Sequence, residues 1–229
     1  MRYVPLHCHS VFSFHAGVCT VEELVQRAKV QGAQAIALTD RDRVSGLIMF
    51  YLECKRAGLK PVLGVELTQP GKPTENVVLL AKNLAGYGDL CEIITRRHLD
   101  PHFTYRAVLS KFWPNLFIFT NFPHLLEQLS RTPNRINLYG ELVSNSECTR
   151  QRSKQLERKA QDLQIPLMVS SDSYFLDSDD WEIHRILVAI GLNGTLSRLK
   201  PEDYVPRNAF LKSQEQMERL FCNHRLAIA

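Results

Sequence analysis

Short apolar runs alternate along this chain with stretches whose apolar residues recur every three or four positions, and the connections between them are brief. Residues 35–38, 60–67, 77–81, 116–119, 136–139 and 167–170 read as strands, and Val4-Pro5-Leu6 reads as the end of another. Helices fill the gaps. Thr20-Val21-Glu22-Glu23 is a Thr-x-x-Glu capping box ahead of Val21, Leu24, Val25 and Ala28 at helical spacing, and Gly32 stops that helix. Further helices fit 46–56, ended by Gly58, then 84–95, 148–163 and 181–190. About seven strand and helix units with short links call for a parallel α/β architecture, and a closed barrel suits that count better than an open sheet.

Such a barrel gathers the residues that follow its strands on one rim. His7 and His9 lie two apart, so at a strand end their imidazoles converge, an arrangement suited to a divalent cation. Asp40, Glu66 and Asp172 each sit at the C-terminal end of another predicted strand. Singly, Asp40 can cap the next helix, Glu66 can be a surface strand end and Asp172 an Asx turn. Their shared position on one rim is a stronger signal than any one of them.

Composition narrows the remaining classes. No apolar run reaches the roughly 20 residues that cross a bilayer, and Met1-Arg2-Tyr3-Val4-Pro5 lacks the apolar core of a signal peptide, so a cytoplasmic protein with no membrane partner is expected. The six cysteines contain no Cys-x-x-Cys pair, which speaks against a zinc knuckle or a disulfide framework. A net charge of +4 is compatible with a phosphate-bearing partner but too small to require one. Much of it lies in Arg96-Arg97-His98 and residues 150–159, which read as solvated helix faces. His98 and His102 flank a Pro101 turn and read as an exposed loop, His184 as a structural histidine on its helix, and Trp113 and Trp181 as core or interface anchors.

Leu6-His7-Cys8-His9-Ser10, Ala37-Leu38-Thr39-Asp40, residues 58–66, Leu79-Leu80-Ala81-Lys82-Asn83 followed by Gly86-Tyr87, and residues 180–190 together resemble the PHP (polymerase and histidinol phosphatase) domain at the N-terminus of bacterial DNA polymerase III alpha subunits. The Thr-Asp-Arg-Asp and Val-Glu-Leu-Thr wording leans toward the error-prone branch. The resemblance implies a distorted seven-stranded (β/α) barrel over residues 1–190 and a C-terminal extension over 191–229 leading toward an absent polymerase palm. The Ser213-Gln214-Glu215-Gln216 cap opens a helix that the chain leaves unfinished at Ala229, as in a fragment or truncated relative of a longer polymerase.

Active members of the family hold up to three divalent metals on the rim and hydrolyse phosphoesters. Carried over, one metal position uses His7, His9, Glu66 and Asp172, and His15 matches a ligand of another; Asp40 stands beside them as a supporting carboxylate. The departures are Arg41 and Tyr174 where the family has histidines, Asn76 where the polymerase branch often has one, and no convincing histidine near Val143 to Ser146. Two outcomes follow. Either a single zinc or manganese survives on His7, His9, Glu66 and Asp172, or Arg41 replaces the lost cations by pairing with Glu66, Asp40 or Asp172, the outcome slightly favoured.

The leading expectation is therefore a PHP module with little or no catalysis, which stabilises the polymerase domains of its parent chain and offers a docking surface, for example to a proofreading exonuclease, meeting DNA through the parent polymerase. The alternatives are an active metal-dependent phosphoesterase or 3'-5' exonuclease using the surviving site, and a free-standing nucleic-acid-binding module. The last is disfavoured by the small net charge and the lack of aromatic residues interleaved with basic ones.

Overall fold

Strand β1 (Ala35–Leu38) is buried along its whole length, as a strand covered on both faces must be. The structure, a computed structural model, describes residues 3–224 and Ala227, with the backbone but not the side chains of residues 72–74. Its strands form one six-stranded sheet in sequence order: β1, β2 (Lys60–Gln69), β3 (Lys72–Ala81), β4 (Leu116–Thr120), β5 (Leu138–Leu142) and β6 (Leu167–Val169).

Helices pack around it. The capping box of α1 (Val21–Val30) forms as expected, with Thr20 Oγ1 accepting from the Glu23 amide and the Glu23 carboxylate accepting from the Thr20 amide. That start turns Val21, Leu24, Val25 and Ala28 into the core. Helix α2 (Leu47–Ala57) ends at Gly58, whose φ of 77° is the left-handed conformation that glycine adopts without a Cβ clash. The others are α3 (Leu84–Leu99), the short α4 (Tyr105–Val108), α5 (Pro123–Ser130), α6 (Glu147–Leu163), α7 (Trp181–Gly191) and α8 (Gln214–Leu220). Among the described residues no helix is long and apolar enough to cross a membrane.

The sheet is not parallel throughout. β2 turns back directly into β3, too short a link for a parallel crossover, so β2 and β3 pair antiparallel, as do β3 and β4; the β1–β2, β4–β5 and β5–β6 pairs are parallel. The hairpin has a consequence for the rim. It places the start of β3 beside the end of β2, and Thr68 faces Asn76 across the pair.

The strand expected at residues 4–6 does not form. Pro5 has no N–H to donate to a ladder, and the segment instead bridges the two sheet edges. On the β1 side the Pro5 and Cys8 carbonyls accept from the amides of Ala37 and Thr39 at 2.8 and 2.9 Å. On the β6 side the His9 amide donates to the Ser173 carbonyl at 2.8 Å, and the Ser173 amide to the His7 carbonyl at 3.1 Å. Six strands and a bridging segment thus stand where seven strands are expected, and the two histidines lie on the segment that joins the edges. The fifth strand also starts later than expected, at Leu138, because residues Pro133–Asn137 form a 3-10 turn.

Residues 209–221 pack back against the rest of the chain. The Leu211 amide bonds the Phe175 carbonyl, and Leu211, Met217 and Phe221 enter the main core. Helix α8 opens on the expected Ser213 cap but ends at Leu220, where Phe221 turns inward, so the helix expected to continue to Ala229 stops early; residues 225–226 and 228–229 lie outside the described residues.

Candidate metal centre

Residues remote in sequence meet on one rim. Nε2 of His7, Nε2 of His9, a Glu66 carboxylate oxygen and Asp172 Oδ1 fall within 4.8 Å of one another. His7 Nε2 lies 3.2 Å from Glu66 Oε2 and 3.6 Å from Asp172 Oδ1, and His9 Nε2 lies 3.7 and 3.8 Å from the same two oxygens. His7, His9 and Glu66 are fully buried, while the Asp172 side chain is 17% exposed.

The partners behind the imidazoles fix which nitrogen faces the cluster. His7 Nδ1 lies 2.7 Å from Glu141 Oε1, and a carboxylate only accepts, so that nitrogen carries a proton. His9 Nδ1 lies 2.9 Å from Ser13 Oγ, whose single proton goes to Asp40 Oδ1 at 2.7 Å. The Ser13 oxygen must therefore accept from His9 Nδ1–H, which leaves Nε2 as the nitrogen that faces the cluster. Asp40 anchors this arrangement by also accepting from the Ser10 amide and hydroxyl at 2.7 and 2.8 Å. The loop folds this tightly because Gly17 has no Cβ: one built there would lie 1.8 Å from the Ser10 carbonyl oxygen.

Electrostatics concentrate negative charge here. Burial raises the pKa of Glu66, yet Arg41, His9 and His7 hold its carboxyl well below the usual range. Burial likewise works against a charged Asp172, and His7 and His9 outweigh it, leaving that group lowered as well. Burial opposes protonation of His7, but Glu141 and Asp172 beside it push its pKa well above the ordinary value. Among the described residues, His9 Nε2 and Asp172 Oδ1 find no hydrogen-bond partner although both are shut away from solvent. Two unpaired buried atoms aimed at one point, beside a Glu66 oxygen and a His7 Nε2 that would give up its proton to bind, fit a small divalent cation of borderline softness.

Arg41 occupies the other side of Glu66. Its Nε donates to Glu66 Oε1 at 2.6 Å and one terminal nitrogen to the Tyr174 hydroxyl at 2.6 Å; the hydroxyl in turn donates to Glu66 Oε2 at 3.4 Å. Tyr174 stacks on His9 with centroids 3.9 Å apart, and Asn76 Nδ2 donates to Glu66 Oε2 at 2.7 Å. The three residues that stand where histidines are expected thus all touch Glu66. Of the partners considered for Arg41, Glu66 takes the guanidinium, and Asp40 is committed to Ser10 and Ser13.

His15 is placed elsewhere. It is exposed, has a φ of 62° and lies against Gly191 of α7, outside the group of four. Arg97 departs from the expected solvated face, for it reaches the Thr68 carbonyl and Asp42 and thereby braces the loop that carries Arg41. His184 is buried, with Nδ1 donating to the Ala16 carbonyl and Nε2 accepting from the Val205 amide. Sequence reasoning missed Glu141, Ser13 and Asn145. Glu141 lies in β5, two residues beyond the end of the strand expected at 136–139.

A family model described as the PHP domain matches residues 5–167. DNA polymerase III subunit alpha of Borreliella burgdorferi is 29% identical over 257 residues, covering 96% of this chain and 22% of that protein. The Vibrio cholerae subunit is 26% identical, covering 100% of this chain and 22% of that protein. An error-prone DNA polymerase of Ralstonia nicotianae is 43% identical over 110 residues, covering 46% of this chain and 10% of that protein. The chain thus spans about a fifth of the length of the alpha-subunit relatives it matches.

Proposed function

The chain belongs to the PHP domain family, and from that premise we propose that it is a PHP module of a DNA polymerase III alpha-type subunit that keeps one divalent cation, zinc or manganese, for structure rather than for turnover. The observation that carries this reading is the division of Glu66. Oε1 is bonded by the Arg41 guanidinium, while Oε2 faces His7, His9 and Asp172. A fixed cation that binds no ligand and cannot be deprotonated stands where a second metal would need a donor.

His7, His9, Glu66 and Asp172 would hold the ion. A cation in such a site polarises a phosphate oxygen and lowers the pKa of bound water, but a lone ion does not clamp both the attacking and the leaving oxygen. Access supports the same reading, since three of the four donor side chains are fully buried.

In this reading residues 1–190 are the barrel and residues 191–229 lead toward the polymerase domains, through which the parent chain meets DNA in the cytoplasm, in replication or error-prone repair synthesis. The module stabilises those domains and offers a docking surface, a proofreading exonuclease being one partner of that kind. Exposed Ile48 and Leu52 on α2 and Ile183, Ile186 and Ile190 on α7 support a docking role. The complete four-donor set favours a second reading, a weak phosphoesterase or 3'-5' exonuclease. A manganese-supplemented assay on single-stranded DNA and on a phosphomonoester decides: no turnover above background is expected, and turnover abolished by His9→Ala overturns the structural reading.

A further inference from the structure

Lys212 is 4% exposed, an unusual place for an ammonium, and it is not one of the four side chains that would hold the cation. Its three N–H groups are matched by three acceptors: Asn145 Oδ1 at 2.8 Å, the Phe210 carbonyl at 3.5 Å and the Asn208 carbonyl. Burial pulls its pKa down to about 8, and the nearby Asp172 charge acts in the opposite direction.

The contact with Asn145 settles that residue's orientation. An ammonium bonds only to the amide oxygen, so the Asn145 NH2 must point the other way, where it donates to the carbonyls of Ser171 at 2.7 Å and Asp172 at 3.3 Å. Asn145 is itself buried and held at the head of α6 by its backbone N–H, which donates to Thr149 Oγ1 at 3.0 Å. The turn it grips is strained, because Asp172 has a φ of 43°, a left-handed conformation that a non-glycine residue holds only when its surroundings compel it. That turn is what brings Asp172 Oδ1 to the group of four.

We infer that Lys212 is a positioning residue for Asp172: through the Asn145 amide, the C-terminal tail holds residues 171–172 in the turn that aims the Asp172 carboxylate at the cation. The inference rests on the one-cation reading for its consequence, but the turn itself does not. The tail that leaves the barrel is in this way tied to the metal centre, and loss of the tie reaches the centre without touching a ligand.

The test uses the full chain in four forms: wild type, Lys212→Met, Asn145→Asp and Arg207→Ala. Asn145→Asp keeps an acceptor for Lys212 while removing the donors to the turn, and Arg207 lies in the same tail but bonds the exposed Ser178–Asp179 corner. Hydrogen exchange at the Ser173 amide, which donates to the His7 carbonyl, is read without metal, and Mn2+ affinity is read by competition with a chelating dye. Lys212→Met and Asn145→Asp are expected to speed that exchange about tenfold and weaken Mn2+ about tenfold, with Arg207→Ala at wild-type values. Exchange within twofold of wild type in both variants overturns the inference. If Lys212→Met also releases the amides of Leu211 and Met217, the tail as a whole has come away, and Asn145→Asp decides alone. If wild type takes up no Mn2+, the one-cation reading falls and the exchange result still decides this one.

Discussion

Replacing Arg41 by Met removes one partner of an ion pair whose other partner has no solvent to turn to. Glu66 is fully buried, and its Oε1 has the guanidinium at 2.6 Å. At an effective dielectric of about 20 that separation corresponds to about 6 kcal/mol of gross attraction, part of which only offsets the desolvation of the two groups. Stranding a buried charge costs about 3 to 5 kcal/mol. The Arg41 side chain is 31% exposed, so water enters along its path and the lower end applies, about 3 kcal/mol. For a chain of this size that is a fall in melting temperature of about 6 to 12 °C. Urea denaturation and thermal unfolding, both in chelator so that no added cation substitutes, measure it. Arg41→Lys retains the charge but not the two-pronged contact with Glu66 and Tyr174, and should lose about half as much. A Met variant within about 0.5 kcal/mol of wild type would falsify the idea that Arg41 neutralises the centre.

Other outcomes follow from neighbouring residues. Glu141→Gln leaves an oxygen to accept from His7 Nδ1 but removes the charge that strengthens the ring as a donor, so cation affinity should fall about tenfold or more while the fold persists; circular dichroism beside a metal titration checks both, and unchanged affinity counts against the role given to Glu141. Lys212 supplies the pH dependence. Its pKa is lowered from 10.5 to about 8 in the folded chain, so between those values the unfolded chain holds a proton that the folded chain lacks. Wild-type stability should therefore rise with pH across that window relative to Lys212→Met, by up to about 3 kcal/mol, and a flat difference between the two denaturation series refutes it.

How far the sequence revealed this molecule depends on the range of the interactions involved. The Thr20 cap, the Gly58 stop and the buried β1 were legible because local chemistry decides them. The antiparallel β2–β3 pair was not, for a Gly71 turn between two apolar runs resembles any loop until the missing crossover helix is noticed. Val4-Pro5-Leu6 reads as a strand by composition, yet a proline lies inside it, and it is residues 5–9 that find partners on both sides and bridge the sheet edges. At the centre, His7, His9, Glu66 and Asp172 were visible as polar breaks at the ends of apolar runs. Ser13, Glu141 and Asn145 were hidden because each acts by holding another side chain or turn, and pairs such as His7 and Glu141 are 134 positions apart. His15, which the resemblance assigns to a different metal position, lies against Gly191.

The central claim is that four side chains share one ion while Arg41 takes the remaining oxygen of Glu66. Metal content by mass spectrometry, on protein equilibrated with Zn2+ or Mn2+ and freed of excess, measures this most directly. One equivalent per chain is predicted for wild type and for His15→Ala, and close to none for His9→Ala and Asp172→Asn. Two or more equivalents in wild type, or one equivalent that persists in His9→Ala, would contradict it.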